Sequence, residues 1–337
     1  MVSTIIASIF IFGLLIFVHE LGHFLAARKA GVKVLEFALG FGKELIGWEK
    51  DGTRYTLRLF PLGGFCRLLG EDSEEQEQEG NFQHKSVPAR FAVIAAGPLM
   101  NFALAILLFS MMYFIFLGVP QQHTTRIGEV LSDSRAEEVG LQTGDLILSV
   151  NGENVQDWPD VVTRINANPD REILLQIQRN GQKQAISVIP EDQNGRGIIG
   201  ITPEYKKFSF FPSIYWGFSY TWFFIKLIFV SFYQMITGVI PADVAGPVGI
   251  VAVVGEVMQT GFSNLISLAA IISINLGIIN LLPIPALDGS RLLFLSLEGI
   301  RGKPIDPQKE GFIHFIGFAM LIMLMIFISF QDIFRLL

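Results

Sequence analysis

A single cysteine, Cys66, stands in 337 residues, so no disulfide can form within the chain and cysteine usage says nothing about redox compartment. Charge is scarce: 17% of the residues are Asp, Glu, Lys or Arg, against about 25% in a typical soluble domain. There is no basic tract and the net charge is -6, which leaves nucleic acid without an electrostatic foothold. Internal repeats are missing as well. Apolar residues fill the chain instead, at 51%. These proportions exclude an ordinary soluble globule and predict a polytopic α-helical membrane protein carrying one polar insert.

Four stretches, residues 1–28, 88–117, 262–290 and 310–331, are long and apolar enough to span a bilayer. The first has neither a basic leader nor a small-residue cleavage site, so it is expected to be retained as a helix. Residues 212–240 are long enough too, but Lys226 and many Tyr, Trp, Ser and Gln residues suit an interfacial helix better. Residues 33–70 are Gly-rich with strand character, and Asp51-Gly52 marks a hairpin turn, which predicts a membrane-associated β-hairpin region. The acidic run Glu71 to Glu79 reads as a solvated loop. The soluble-looking insert covers 124–205. Its short β-rich runs at 127–131, 146–150, 173–179 and 185–189 alternate with turn signals such as Asn151-Gly152 and Asn180-Gly181. A helix is expected over 158–166, with Pro159 tolerated in its first turn.

The first span contains His19-Glu20-Leu21-Gly22-His23, where a lone charge costs about 2.5–3.5 kcal/mol. At i and i+4 the two imidazoles leave one helical face, about 6 Å apart at Cβ. That spacing suits one Zn²⁺ held by His19 and His23, with Glu20 beside them as a general base toward water. The five-residue pattern also arises by chance on helices, and a polar cluster that only binds helices together is the bland alternative. A candidate third ligand is Asp288, at the end of the third span, although Asp288-Gly289 is equally a common turn pair. Two His and one carboxylate would leave the fourth tetrahedral position open, as a catalytic site needs. Glu298, near Arg301, reads as a solvated face, and His84, His123 and His314 have no partner at ligand spacing. Asn280 and Asn101 sit in or beside apolar helices, where interhelical hydrogen bonding competes with a functional role. Pro283 and Pro285 interrupt the third span, which a membrane tolerates only around a cavity or protein interior.

For Asp288 to reach the same metal it must lie on the membrane side of His19 and His23, and a crossing at 212–240 would put it on the other, which also argues for an interfacial 212–240. Arg28, Lys29, Lys33, Lys43, Arg67, Lys85 and Arg90 flank the first two spans on the histidine side, and Arg291, Arg301, Lys303 and Lys309 lie between the last two. The positive-inside rule then makes it the cytoplasm and puts the polar insert outside.

The His-Glu-Leu-Gly-His motif, with Asn280-Leu-Leu-Pro-Ile-Pro-Ala-Leu-Asp288-Gly289, resembles the site-2 protease family of intramembrane zinc metalloproteases, in its bacterial regulator of sigma-E protease branch. Gly40-Phe-Gly42, Pro61-Leu-Gly-Gly64, Ala96-Gly-Pro-Leu-Met-Asn101 and Ala245-Gly-Pro-Val-Gly-Ile250 add to the likeness, which covers nearly the whole chain. Gly140-Leu-Gln-Thr-Gly-Asp145 followed by Val150-Asn-Gly152 resembles a PDZ domain, present once where some members carry two. The resemblance implies His19, His23 and Asp288 as Zn²⁺ ligands, Glu20 as catalytic base, and Asn280 near the substrate backbone or the developing oxyanion. The substrate-binding candidates are Gly40, Gly42, Gly63, Gly64 and Asn101, with the β-region offering an edge to an extended substrate. The implied partners are single-span membrane proteins such as anti-sigma factors or signal-peptide remnants, the lipid bilayer, and a peptide ligand for the PDZ domain. The implied location is the bacterial cytoplasmic membrane. A non-enzymatic membrane scaffold and a metal transporter are the competing classes. The intact motif residues disfavour the first, and the lack of a further membrane-embedded ligand cluster disfavours the second.

Overall fold

The computed structural model describes residues 2–71, 79–116, 118–193, 195–241, 246–304 and 306–336; the acidic run from 72 to 78 and Ala245 of the Ala-Gly-Pro-Val segment lie outside them. The chain forms two units, one from 1–112 with 211–337 and one from 113–210.

The first unit opens with α1 (Val2–Lys29), the hairpin strands β1 (Val34–Lys50) and β2 (Thr53–Leu68), and α2 (Val87–Ile115). The second unit contains β3 (Gly118–Pro120), β4 (Ile127–Val130), α3 (Arg135–Glu138), β5 (Leu146–Val150), β6 (Glu153–Asn154), α4 (Trp158–Asn166), β7 (Ile173–Arg179) and β8 (Gln182–Val188). It ends with β9 (Glu191–Gln193), β10 (Arg196–Ile198), β11 (Ile201–Pro203) and β12 (Tyr205–Lys207). The first unit resumes with α5 (Phe210–Ile236), α6 (Pro247–Gln259), α7 (Phe262–Leu281), α8 (Asp288–Arg301) and α9 (Pro307–Leu336).

Among the described residues five helices, α1, α2, α5, α7 and α9, are long and apolar enough to cross a membrane. Several expose large apolar side chains, such as Ile6 and Phe10 on the outer face of α1 and Phe315, Met323 and Phe327 on α9. A helix apolar all round needs an apolar solvent. By length and composition α5 joins the set, whereas its mixed side chains had suggested the interface; it is the least apolar of the five. The third span does not continue to 290. It stops at Leu281, the chain turns through Pro283 and Pro285, and a separate amphipathic helix, α8, starts at Asp288. α6 was not expected from the sequence, and α9 holds its start. Asp332 accepts the N–H groups of Gly246 (3.3 Å) and Gly249 (2.8 Å), donors that α6 leaves without a side-chain cap of its own.

The hairpin turn falls where Asp51-Gly52 predicted it, both residues having positive φ (51° and 72°) as a two-residue primed turn requires. The strands are long and bent, so Phe37 to Leu39 have partners on both sides: Tyr55 to Leu57 on one and Gly64 to Cys66 on the other. The bend places Glu36 beside Arg58 (2.6 Å) and Thr56 (2.8 Å). Burial pushes the Glu36 carboxyl up, but those donors and the positive charge of Arg58 outweigh it and hold it below the usual carboxylate range. A shared apolar core joins α1 (Phe24, Ala27), β1 (Val34, Phe37), α2 (Val93, Ile94) and α8 (Leu292, Leu295). Each of its large side chains contributes up to about 1.5–3 kcal/mol by leaving water. That core fixes α8, and hence Asp288, against the helix that carries the two histidines.

In the second unit, the antiparallel sheet β6-β5-β7-β8 packs Ile147, Ile173, Leu175 and Ile177 against Trp158, Val161 and Ile165 of α4. Asp157 caps α4 by accepting the N–H of Asp160 at 2.9 Å.

Candidate metal centre

α1 delivers His19 and His23 from one face, as the i, i+4 spacing requires. Asp288 arrives from the far end of the chain. His19 Nε2 and His23 Nε2 lie 3.2 Å apart, and Asp288 Oδ2 is 3.1 Å from the first and 3.4 Å from the second. Four ligands held tetrahedrally at about 2.0–2.1 Å from Zn²⁺ stand roughly 3.3–3.4 Å from one another. The three observed separations are therefore close to the edges of that tetrahedron.

The donor chemistry agrees. His23 Nδ1–H donates to the carbonyl of Val93 at 2.9 Å, which leaves the lone pair of Nε2 free. Asn101 faces His19 Nδ1 at 3.0 Å and is wholly buried. With its amide turned so that Oδ1 meets the ring, it accepts Nδ1–H and fixes the same tautomer on His19. Asp288 Oδ2 is buried with no hydrogen-bond donor. Two imidazole lone pairs and a carboxylate oxygen pointed at one spot repel each other unless a cation lies between them. The residues fit the ion.

Glycines let the helices close around this cluster. A Cβ on Gly97 of α2 would lie 2.2 Å from His23 Nε2, and one on Gly22 would lie 2.3 Å from the carbonyl oxygen of Ala96. Neither position was singled out from the sequence, though Gly22 lies within the His-Glu motif and Gly97 within the Ala-Gly-Pro-Leu-Met-Asn segment.

A cavity of about 900 Å³ opens onto the cluster, lined by Glu20, Asn280, Gly63 and Gly64 among others. Glu20 is not part of the ligand cluster; its Cγ is 3.2 Å from where a Cβ on Gly64 would be. Gly40 and Gly42 do not line the cavity. Their φ values of +92° and +84° bend β1, and a Cβ on either would strike Phe60. Asn101, the other substrate candidate, does not line the cavity either. It is sealed from the cavity and spends its amide on His19.

Two sequence readings fail on one physical ground, pairing between residues far apart in the chain. Glu298 is not on a solvated face but forms a two-pronged ion pair with Arg90, and both side chains are largely buried. Glu71, at the start of the acidic run, is paired with Arg291 instead of water. His314, outside the ligand cluster as its spacing suggested, still finds a distant partner: it lines the cavity and accepts the N–H of Ala286. Burial, with the charges of Glu20 and Glu71, pushes the Cys66 thiol well above its usual range.

Residues 7–324 match the pattern of peptidase family M50. The chain belongs to peptidase family M50. The resemblance to site-2 proteases read from the motifs is thereby borne out. Among its M50 relatives, the zinc metalloprotease RasP of Geobacillus kaustophilus is 35% identical over 417 residues, with 98% of each chain covered. The regulator of sigma-W protease RasP of Bacillus subtilis is 36% identical over 421 residues, with 99% of each covered. Those alignments are longer than this chain, so both relatives carry residues it lacks. A Clostridium acetobutylicum protein is 36% identical over 334 residues, covering 98% of this chain and 97% of that one. The PDZ domain of an SdrC-like protein from Listeria monocytogenes matches 24% of the chain and 87% of itself at 20% identity, with a TM-score of 0.22, too distant to carry the fold of that segment.

Proposed function

We propose that this protein is a zinc metalloprotease that hydrolyses peptide bonds within or near the transmembrane segment of single-pass membrane proteins, His19, His23 and Asp288 holding the metal. The observation that carries the reading is the ligand triangle of 3.1–3.4 Å between one bilayer-length helix and a loop at the end of another. Bound zinc supplies a Lewis acid that acidifies water and polarises the scissile carbonyl. Glu20, in the cavity wall, takes the proton from the attacking water and returns it to the leaving amine. Asn280 lines the same cavity and donates from its amide toward the carbonyl oxygen as negative charge develops there.

A transmembrane helix must unwind before its peptide bonds can react, so its backbone needs replacement partners. Gly64 to Cys66 pair with β1 on one side only, among the described residues, and line the cavity on the other. An extended substrate added at that edge would lie across the reacting centre. Anti-sigma factors fit as substrates because a relative bears the name of a sigma-W regulator; signal-peptide remnants share the single apolar span. The second unit supports a PDZ reading by its small sheet, its capped helix α4 and the Gly140 to Asp145 loop, and it would bind a peptide outside the cytoplasmic membrane. α6 supports a metal at the far end of the spans from the start of α1, the end whose flanking basic residues read as cytoplasmic. Its start meets Asp332 near the end of α9, and Gly255 packs at Thr4 near the start of α1, about 22 Å of helix away from His19.

The test is Glu20→Gln against the unaltered protein, with a reporter carrying a single apolar span. The expected result is loss of cleavage with zinc content retained. Equal cleavage by both refutes the role of Glu20, and a wild-type protein without zinc refutes the site.

A further inference from the structure

Asp288 is presented by a strained loop. Between the end of α7 and the start of α8 the chain is irregular, and within it Ala286 has φ +75°, a left-handed conformation that L side chains rarely adopt. Such a conformation persists only where the surroundings impose it. Two contacts from α9 fall on this loop. His314 Nδ1 accepts the N–H of Ala286 at 3.0 Å. Three residues further along the same helical face, Gly317 meets Pro285 so closely that a Cβ there would lie 2.3 Å from the Pro285 Cβ and 2.6 Å from its carbonyl carbon and oxygen.

His314 is itself held in place. Its ring stands edge-on to Phe294 of α8, with centroids 5.9 Å apart. Its Nε2 lies 3.7 Å from a carboxylate oxygen of Glu310, one turn earlier on α9. Because Nδ1 accepts from Ala286, the proton sits on Nε2, facing that carboxylate. The residue therefore ties α9, its own helix, to the loop at Ala286 and to α8, the helix that the loop leads into.

We infer that α9 clamps the ligand loop through His314 and Gly317, holding Ala286 left-handed and so fixing where the Asp288 carboxylate points. His314 is a positioning residue that acts through the backbone of Ala286. The inference rests on the reading of Asp288 as the third zinc ligand and adds to it the device that sets its geometry.

The experiment uses the full-length protein in detergent and measures zinc affinity by competition with a chromogenic chelator, alongside cleavage. His314→Leu removes the acceptor and is expected to weaken zinc binding by about tenfold or more, the scale of losing a group that orients a ligand. His314→Asn keeps an acceptor at the position of Nδ1 and should stay within about threefold of the unaltered protein. Ala286→Gly placed on His314→Leu removes the backbone strain and should restore most of the affinity. A general loss of packing at His314 would not respond to a methyl group deleted at 286. Wild-type affinity in His314→Leu overturns the clamp, and so does a double variant as weak as the single one. Asp288→Asn separates the two claims: unchanged zinc affinity there refutes the ligand assignment, whereas a weakened Asp288→Asn beside an unaffected His314→Leu refutes the clamp alone.

Discussion

Adding one methyl group at Gly97 should disable the proposed metal centre without substituting any of its ligands. The new Cβ would lie 2.2 Å from His23 Nε2, 2.5 Å from Cε1 and 2.8 Å from Cδ2. Ordinary van der Waals contact begins near 3.4 Å, so the ring must move by about 1.2 Å or the helices must part. The ring has little freedom. Its Nδ1 is bonded to the Val93 carbonyl, its side chain is buried, and α1 cannot back away from α2 without opening the close approach of Gly22 to Ala96. Overpacking of this kind costs about 1–3 kcal/mol of stability. The functional loss is larger, because a catalytic group misplaced by about 1 Å forfeits on the order of 100-fold in rate. Zinc affinity measured by chelator competition should fall by about 10–100-fold. Gly13→Ala is the control: it lies on the histidine-bearing helix with nothing within 4 Å of its would-be Cβ, and it should leave affinity and cleavage unchanged. If Gly97→Ala binds zinc as tightly as the unaltered protein, the packing of α2 against His23 is not what the geometry says.

Two further outcomes follow from a buried ion pair and a half-buried thiol that the chemistry does not use. Arg90→Ala strands the Glu298 carboxylate against α2, and breaking such a pair should lower stability by about 3–5 kcal/mol; thermal unfolding should show it, with Arg90→Met/Glu298→Met milder than the single change. Cys66 should react slowly with maleimide at pH 8, because burial and the nearby carboxylates of Glu20 and Glu71 raise its thiol and keep the thiolate rare. Denaturant should release the reactivity, and prompt labelling of the folded protein would contradict a raised thiol.

The legible parts of this molecule were those whose signal lies within a few residues. The i, i+4 histidines, the Asp51-Gly52 turn and the prolines that end the third span each act through local geometry, and the structure has them where the spacing put them. Composition made the apolar helices plain. It could not assign α5, because an interfacial helix and a spanning one share length and aromatic content. What stayed hidden depends on pairs that only the fold brings together: Arg90 with Glu298, Glu71 with Arg291, Asn101 with His19, and His314 with Ala286. A side chain read alone takes the commonest fate of its type, so Glu298 reads as solvated and His314 as ordinary.

Gly97 is the hardest case, since a glycine in a membrane helix is unremarkable and its value here is the absence of a side chain opposite His23, 74 positions away. One cue was available. Gly97 precedes Pro98, which sits inside α2, and two helix-weakening residues side by side in a long apolar helix need a partner that profits from them. His23 is that partner. It takes the space that Gly97 leaves and donates to the carbonyl of Val93, one turn earlier on α2. The imidazole proposed to bind zinc is thus aimed by a helix that contributes no proposed ligand, so a substitution at Gly97 should act on metal binding before it acts on the fold.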